Sequence, residues 1–158
     1  MELSHRPASA EDAAFQFEVY ASTRAEELAG LGWSAAQQEA FLRMQYSMRR
    51  QSYEMSSPDA RHSILLSAGV PAGTAIVWRA PAEIQLVDIA FLPEFRNRGL
   101  GTRFLEGLIG EARRSALPLR LSVLRGNPAT RLYERMGFVA RSTSSMYIEM
   151  EHHGADPQ

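Results

Sequence analysis

The residues best suited to chemistry lie where an apolar extended run gives way to a helical pattern. The segment Arg96–Gly101 combines two arginines with two glycines, and Thr102 follows at the start of the helix. Glycine lets the main chain approach a ligand closely, and the first helical turn offers unpaired N–H groups at the positive end of the helix dipole. These features predict a site for an anion such as phosphate.

Two common phosphate-binding motifs do not match this segment. It lacks the lysine of a P-loop and the three-glycine spacing of a dinucleotide-binding fingerprint. Nucleoside triphosphate and NAD are therefore disfavoured as ligands. A plain turn between a strand and a helix would use Gly99 and Gly101 in the same way, so on these residues alone that interpretation stays open.

Composition and charge exclude several other classes of protein. A length of 158 residues predicts one domain, and the absence of cysteine removes disulfides and thiolate nucleophiles. Lys+Arg is 17 against Asp+Glu 18, so no overall field would attract nucleic acid or an anionic membrane. The four histidines show no ligand spacing, which predicts no metal site. Without a basic leader or a long apolar run, we expect a cytoplasmic protein with no membrane partner.

The pattern of apolar residues predicts alternating helices and strands, and hence an α/β fold. Helices are predicted over residues 10–29 and 35–54, between Gly101 and Pro118, and from Asn127 to Met136; strands are predicted over residues 62–68, 74–79, 83–92, 119–124, 138–140 and 146–151.

Three segments, taken in order, resemble the GNAT superfamily of acetyl-CoA dependent N-acetyltransferases. Arg96–Gly101 fits the family's phosphate motif, Arg/Gln-x-x-Gly-x-Gly/Ala. Val87–Glu94 is similar to the family's fourth strand, and Asn127–Phe138 is similar to its second cofactor motif. The resemblance covers roughly residues 62–150.

The resemblance implies a fold as well as an activity. It implies one GNAT domain over residues 1–150, with a mixed, mostly antiparallel central sheet flanked by helices. The parallel strands Glu83–Leu92 and Leu119–Leu124 would splay apart and hold the cofactor between them. Residues 151–158 are expected to form a frayed tail.

By the same resemblance, the cosubstrate is acetyl-CoA and the chemistry is shared between backbone and side chains. The N–H of Phe91 would stabilise the thioester oxyanion, and Tyr133 would protonate the departing thiolate. Asn127 would contact pantetheine, although it is equally suited to cap a helix, and Tyr133 could instead be a core residue. The residues implied in cofactor binding are Ile89, Ala90, Phe91, Arg96, Asn97, Arg98, Gly99, Leu100, Gly101, Thr102, Asn127 and Tyr133.

The general base is the feature that the sequence leaves open. A primary amine must lose a proton before it attacks a thioester, and many family members supply a strand glutamate for this purpose. The matching positions here hold Gln85 and Ser122. Glu83, on the same side of the strand as Gln85, and Asp88, on the other side, are the candidates. A water-relayed base, or an amine with a lowered pKa, would need neither.

The acceptor is expected to be a small-molecule or peptide amine that attacks acetyl-CoA directly in a ternary complex. An alternative is a CoA-binding or sensing protein of the same fold with weak or lost turnover, and a third is an interaction module without acetyl-CoA affinity. The interaction module would form a homodimer or a hetero-complex, and the acetyltransferase could also form a homodimer. The candidate acceptor-binding residues, on and beside the second predicted helix, are Trp33, Gln45, Tyr46 and Tyr53.

Overall fold

The computed structural model describes residues 2–153. Two short 3-10 turns, Ala10–Asp12 and Pro93–Phe95, precede α1 and α3. The elements in chain order are β1 (Leu3–Pro7), α1 (Ala13–Ala29), α2 (Ala35–Ser56), β2 (Arg61–Ser67), β3 (Val70–Arg79), β4 (Ile84–Phe91), α3 (Leu100–Ser115), β5 (Leu119–Leu124), α4 (Ala129–Arg135), β6 (Val139–Thr143) and β7 (Tyr147–His152).

The strands form a seven-stranded sheet in the order β1-β2-β3-β4-β5-β7-β6. β4 and β5 are parallel, whereas β1–β2, β5–β7 and β6–β7 are antiparallel pairs. The expected mixed sheet with flanking helices is therefore confirmed. None of the helices within residues 2–153 is long and apolar enough to cross a membrane.

The chain divides into two compact units. The first unit holds the residues up to Ile76 together with Ile89–Arg98, and the second unit holds Val77–Asp88 and the residues from Gly99 onward. In the first unit, α1 packs on α2 through a cluster of buried apolar side chains. In the second unit, the apolar face of α3 lies against β5. The buried side chains of these two contacts include Phe17, Tyr20, Leu28 and Leu42 in the first and Leu105, Leu108, Leu119 and Leu121 in the second.

The structure contains one strand that the sequence pattern missed and one turn that it misplaced. β1 carries polar side chains because it is an edge strand, paired with β2 along one side only. Residues 70–73, which fall between the predicted strands 62–68 and 74–79, lie instead inside β3. The chain reverses at Ala68 and Gly69, which both have positive φ (49° and 82°), as two-residue hairpin turns require.

The expected frayed tail is wrong at its first two residues. Glu151 and His152 complete β7, where both are buried and pair in register with Arg120 and Leu119 of β5. The run Glu151–His153 is polar throughout, which is typical of a tail in the sequence alone. Residues 154–158 lie outside the described part of the chain.

Candidate functional site

The turn into α3 has the backbone geometry of an anion site. Gly99 caps the helix with a φ of 78°, in the left-handed region that favours glycine. The amide of Arg103 donates to the carbonyl of Gly99 at 3.1 Å, so the amides of residues 100–102 precede the first hydrogen bond within the helix. A Cβ at Gly99 would have no atom within 4 Å, which leaves open space beside these donors.

Arg96 and Arg98, which the sequence suggests are mobile surface cations, each make a contact within the protein. Arg96 Nε donates to the carbonyl of Phe91 at 2.9 Å, and its Nη2 donates to the Ser22 hydroxyl at 3.2 Å. The Arg98 guanidinium lies 5.8 Å from the centre of the Phe95 ring. Arg96 therefore fixes the loop to the end of β4.

The end of β4 presents backbone groups away from β3. The amide of Leu92 donates to the carbonyl of Ala72 in β3 at 2.9 Å. Because successive amides of a strand point to opposite edges, the amide of Phe91 points to the edge away from β3. A Cβ at Gly73 would lie 2.3 Å from the Ala90 carbonyl oxygen, so β3 and β4 approach closely at this point only because residue 73 is glycine.

The pairing of the parallel strands β4 and β5 ends before either strand does. The paired register runs from Ile84 and Leu119 to Leu86 and Leu121, yet β4 continues to Phe91 and β5 continues to Leu124. Ser122 is the first residue of β5 beyond this register. This early end of the pairing agrees with the expected splay of the two strands.

The surroundings of Tyr133 keep its hydroxyl protonated. The residue is buried on α4, with its ring 5.8 Å from that of Phe138. Burial raises the pKa of the Tyr133 hydroxyl, and the negative charge of Asp88 raises this pKa further. The phenol therefore stays protonated throughout the physiological range. Asp88 thus lies close enough to act on Tyr133 electrostatically.

Asn127 fills the capping role that its position predicts. Its side-chain oxygen accepts a hydrogen bond from the Ala129 amide at 2.9 Å, at the start of α4. In the same turn, the buried Thr130 hydroxyl has no hydrogen-bond partner among the described residues. The contact of Asn127 with pantetheine stays a prediction.

Glu83 takes part in a chain of ion pairs. Arg120 on β5 binds Glu83, and its Nε lies 3.1 Å from Glu151 Oε1. Arg141 Nε lies 3.2 Å from the other oxygen of Glu151. Because a guanidinium already binds Glu83, this carboxylate has a structural role, and its case as a base weakens.

Glu83, Arg120 and Arg141 line a cleft of about 390 Å³ together with Gln85 and Glu149. The face of β4, β5 and β7 that carries Gln85, Arg120, Ser122, Glu149 and Glu151 is here called the outer face. Ser122 and Glu149 are cross-strand neighbours, and the Ser122 hydroxyl donates to Glu149 Oε1 at 2.9 Å. Sequence reasoning missed this pair, because the register between β5 and β7 joins residues 27 positions apart. The alternation of residues 147–152 was the available signal.

The four candidate acceptor-binding residues do not line one pocket. Gln45 accepts hydrogen bonds from Arg24 (2.7 Å) and Tyr20 within the α1–α2 contact, where Tyr46 also packs. Trp33 precedes α2, whereas Tyr53 lies near its end, about 27 Å further along the helix axis. The length of α2 therefore separates Trp33 from Tyr53, and a role of the four residues in acceptor binding stays a prediction.

Comparison with known proteins places this geometry in context. An 88-residue stretch is 28% identical to a Bacillus subtilis (strain 168) protein with the provisional name ribosomal protein bS18-alanine N-acetyltransferase. That match covers 52% of this chain and 56% of the relative, so the chain spans little more than half of the relative's length.

Two solved structures share the fold along almost the whole chain. The PaiA N-acetyltransferase of Thermoplasma acidophilum, solved in complex with coenzyme A, superposes with a TM-score of 0.71 at 22% identity over 97% of this chain and 99% of that one. The ribosomal-protein-S18-alanine N-acetyltransferase of Escherichia coli has a TM-score of 0.67 at 21% identity, over 99% and 97%.

The sequence profile of the Acetyltransferase (GNAT) family matches residues 22–138, which is most of the chain. The match includes the splayed end of β4, the Gly99 turn and Tyr133 on α4. Because this match spans well over half of the chain, the chain belongs to the GNAT acetyltransferase family.

Proposed function

We propose that this protein transfers an acetyl group from acetyl-CoA to a primary amine by direct attack in a ternary complex. The observation that carries the proposal is the turn into α3. There, Gly99 and the amides of residues 100–102 form an anion site within the segment matched by the family profile.

On the cofactor side, the main chain does most of the binding. The amides of residues 100–102 would receive the pyrophosphate of CoA, since a helix N-terminus favours a bound anion. The backbone of Ile89 and Phe91 would bind the pantetheine arm. The Phe91 amide, on the edge of β4 away from β3, would donate to the thioester oxygen and stabilise the oxyanion that develops there.

Tyr133 would act as the general acid. Its raised pKa keeps the hydroxyl protonated, which suits a group that must deliver a proton to a departing thiolate. The chain contains no cysteine, so no acyl-cysteine intermediate forms and the amine attacks acetyl-CoA itself. Asn127 would add a side-chain contact to pantetheine from the start of α4.

Peptide α-amines deserve first place among the acceptors to be tried. The Bacillus subtilis relative and the Escherichia coli structure are both named for acetylation of an alanine of a ribosomal protein. The outer face beside β5 is open, with a cleft of about 390 Å³, and this space would admit either a peptide end or a small amine.

The direct experiment follows thiol release from acetyl-CoA in the presence of an alanine-initiated peptide, a lysine-containing peptide, spermidine and benzylamine. Mass spectrometry then checks for an amine product heavier by one acetyl group. Release that depends on one of these amines supports the proposal. Binding of acetyl-CoA without any product would favour the CoA-binding or sensing alternative, and absence of both would overturn the proposed function.

A further inference from the structure

We propose that Glu149, held by Ser122, is the general base that takes the proton from the acceptor ammonium. The inference rests on the proposed acetyl transfer and deepens it. It starts from a chemical need: an alkylammonium with a pKa near 10.4 is almost fully protonated at neutral pH and cannot attack a thioester in that form.

Glu149 lies on β7, next to β5, at the level where the pairing of β5 with β4 has just ended. Its cross-strand partner Ser122 directly follows Leu121, the last residue of β5 in register with β4. The Ser122 hydroxyl donates to Glu149 Oε1 at 2.9 Å, which fixes one carboxylate oxygen and leaves the other directed to its surroundings. The carboxylate also lines the cleft of about 390 Å³ and is exposed to solvent, so an amine can reach it.

The charges of the outer face single out Glu149. Both arginines in this region already bind carboxylates: Arg120 binds Glu83 and Glu151, and Arg141 binds Glu151. Within residues 2–153, Glu149 forms no such ion pair, and its partner is a neutral hydroxyl. Its negative charge is therefore the one not offset by a guanidinium, and it favours an ammonium ligand.

The two carboxylates considered from the sequence are less suited to this role. Glu83 would have to leave its ion pair with Arg120 to accept a proton. Asp88 acts electrostatically on buried Tyr133, and its side chain lies on the strand face opposite that of Gln85. Neither obstacle applies to Glu149.

In the proposed step, the Glu149 carboxylate accepts one proton from R–NH₃⁺ and passes it to solvent. The nitrogen lone pair forms the N–C bond with the thioester carbon, and the C–S bond then breaks with its electron pair on sulfur. Tyr133 gives its proton to that sulfur, and the second proton lost by nitrogen restores the phenol. The sum is an amide, free CoA and one released proton.

The test compares wild-type protein with Glu149→Gln, using whichever amine of the panel the wild type acetylates. The variant keeps the size and polarity of the side chain but cannot accept the proton. At pH 7 we expect kcat/KM to fall about 100-fold, within the usual range for loss of a general base. The loss should shrink about tenfold per pH unit toward the pKa of the amine, because free amine then replaces the missing base.

Two controls separate this role from a structural one. Glu26→Gln makes the same change at an exposed position of α1 and should leave kcat/KM unchanged. Ser122→Ala should lower kcat/KM by a smaller factor, because Glu149 loses its orientation but keeps its basicity. The increase in melting temperature with acetyl-CoA should be retained in Glu149→Gln, which would show that this variant folds.

The outcomes separate the assignment of Glu149 as the base from the proposed acetyl transfer. If the wild type acetylates an amine and Glu149→Gln does so equally well at pH 7, the assignment of Glu149 is wrong while the proposed function stands. A loss that is constant between pH 7 and pH 9 would also overturn the assignment. If the wild type acetylates none of the amines, the proposed function fails and the base with it.

Discussion

The turn into α3 and the outer face of β5 and β7 are built from different groups. The turn is made of backbone: a glycine with φ of 78° and the amides of three consecutive residues. The outer face is made of side chains: two arginines in ion pairs with two glutamates, and Glu149 bound to Ser122. Backbone donors suit a ligand part that is always the same, whereas exposed side chains can differ between proteins that share one fold.

The turn is therefore expected to bind the cofactor, and the outer face to bind and deprotonate the amine. A change in the turn should abolish cofactor binding with any amine. A change on the outer face should alter the handling of the amine and leave acetyl-CoA affinity as it was. The variants below test this division of roles.

Gly99→Glu should have the largest effect, the loss of acetyl-CoA binding. The new side chain brings a negative charge to the anion site and a strained φ to its cap. Titration calorimetry with acetyl-CoA provides the measurement. Gly32→Glu is a matched control, because Gly32 also has positive φ (71°) and open space around it; it should bind normally. Binding by Gly99→Glu with wild-type affinity would contradict the anion-site assignment.

Tyr133→Phe should lower kcat about 100-fold with little change in acetyl-CoA affinity, since it removes a proton donor and keeps the ring. Steady-state thiol release and calorimetry measure the two quantities. Tyr20→Phe, at a buried tyrosine of α1, should retain the wild-type kcat. An unchanged kcat in Tyr133→Phe would make Tyr133 a core residue.

Gly73→Ala should destabilise the fold by about 1–3 kcal/mol, or about 2–12 °C in melting temperature, because its Cβ would meet the Ala90 carbonyl oxygen. Any shift of β4 would also weaken acetyl-CoA binding. Thermal unfolding gives the comparison with Gly107→Ala, an unhindered helical site where alanine should keep or raise stability. Equal melting temperatures for the two variants would argue against the close approach.

The smallest effect concerns His152, next to Glu151 on the strand that carries Glu149. Burial lowers the pKa of this histidine, and its Nδ1 has no partner among the described residues. The folded protein therefore favours the neutral ring. The stability that depends on this neutral ring is complete above pH 6.5, near the pKa of histidine in the unfolded chain. It is lost as the pH falls from there toward the lower pKa of His152 in the folded protein.

Thermal unfolding at pH 7.5 and pH 5.5 measures this effect in wild type and in His152→Phe. The wild type should lose more stability than the variant, at no more than about 1.4 kcal/mol per pH unit for one proton. His153→Gln, at the exposed neighbouring histidine, should behave as the wild type. Parallel losses in wild type and His152→Phe would show that His152 does not sense pH.

Local signals in the sequence accounted for the turn but not for the outer face. The glycines of the turn and the cap at Asn127 act through residues next to them in the chain, so their geometry could be predicted. Glu149 meets Ser122 only through the register of β5 and β7, which depends on how the whole sheet assembles. The hydrogen bond between Arg96 and Ser22 could not be predicted for the same reason, since the two residues are 74 positions apart in the chain.

Thermal unfolding of the wild-type protein with and without acetyl-CoA shows whether the chain binds this cofactor. At a ligand concentration 100 times the Kd, binding adds about 2.7 kcal/mol of stability, which predicts an increase of about 5–11 °C in melting temperature. The same increase should persist in Glu149→Gln and vanish in Gly99→Glu. No increase at millimolar acetyl-CoA would contradict cofactor binding at the turn into α3, and the family likeness would then describe the fold alone.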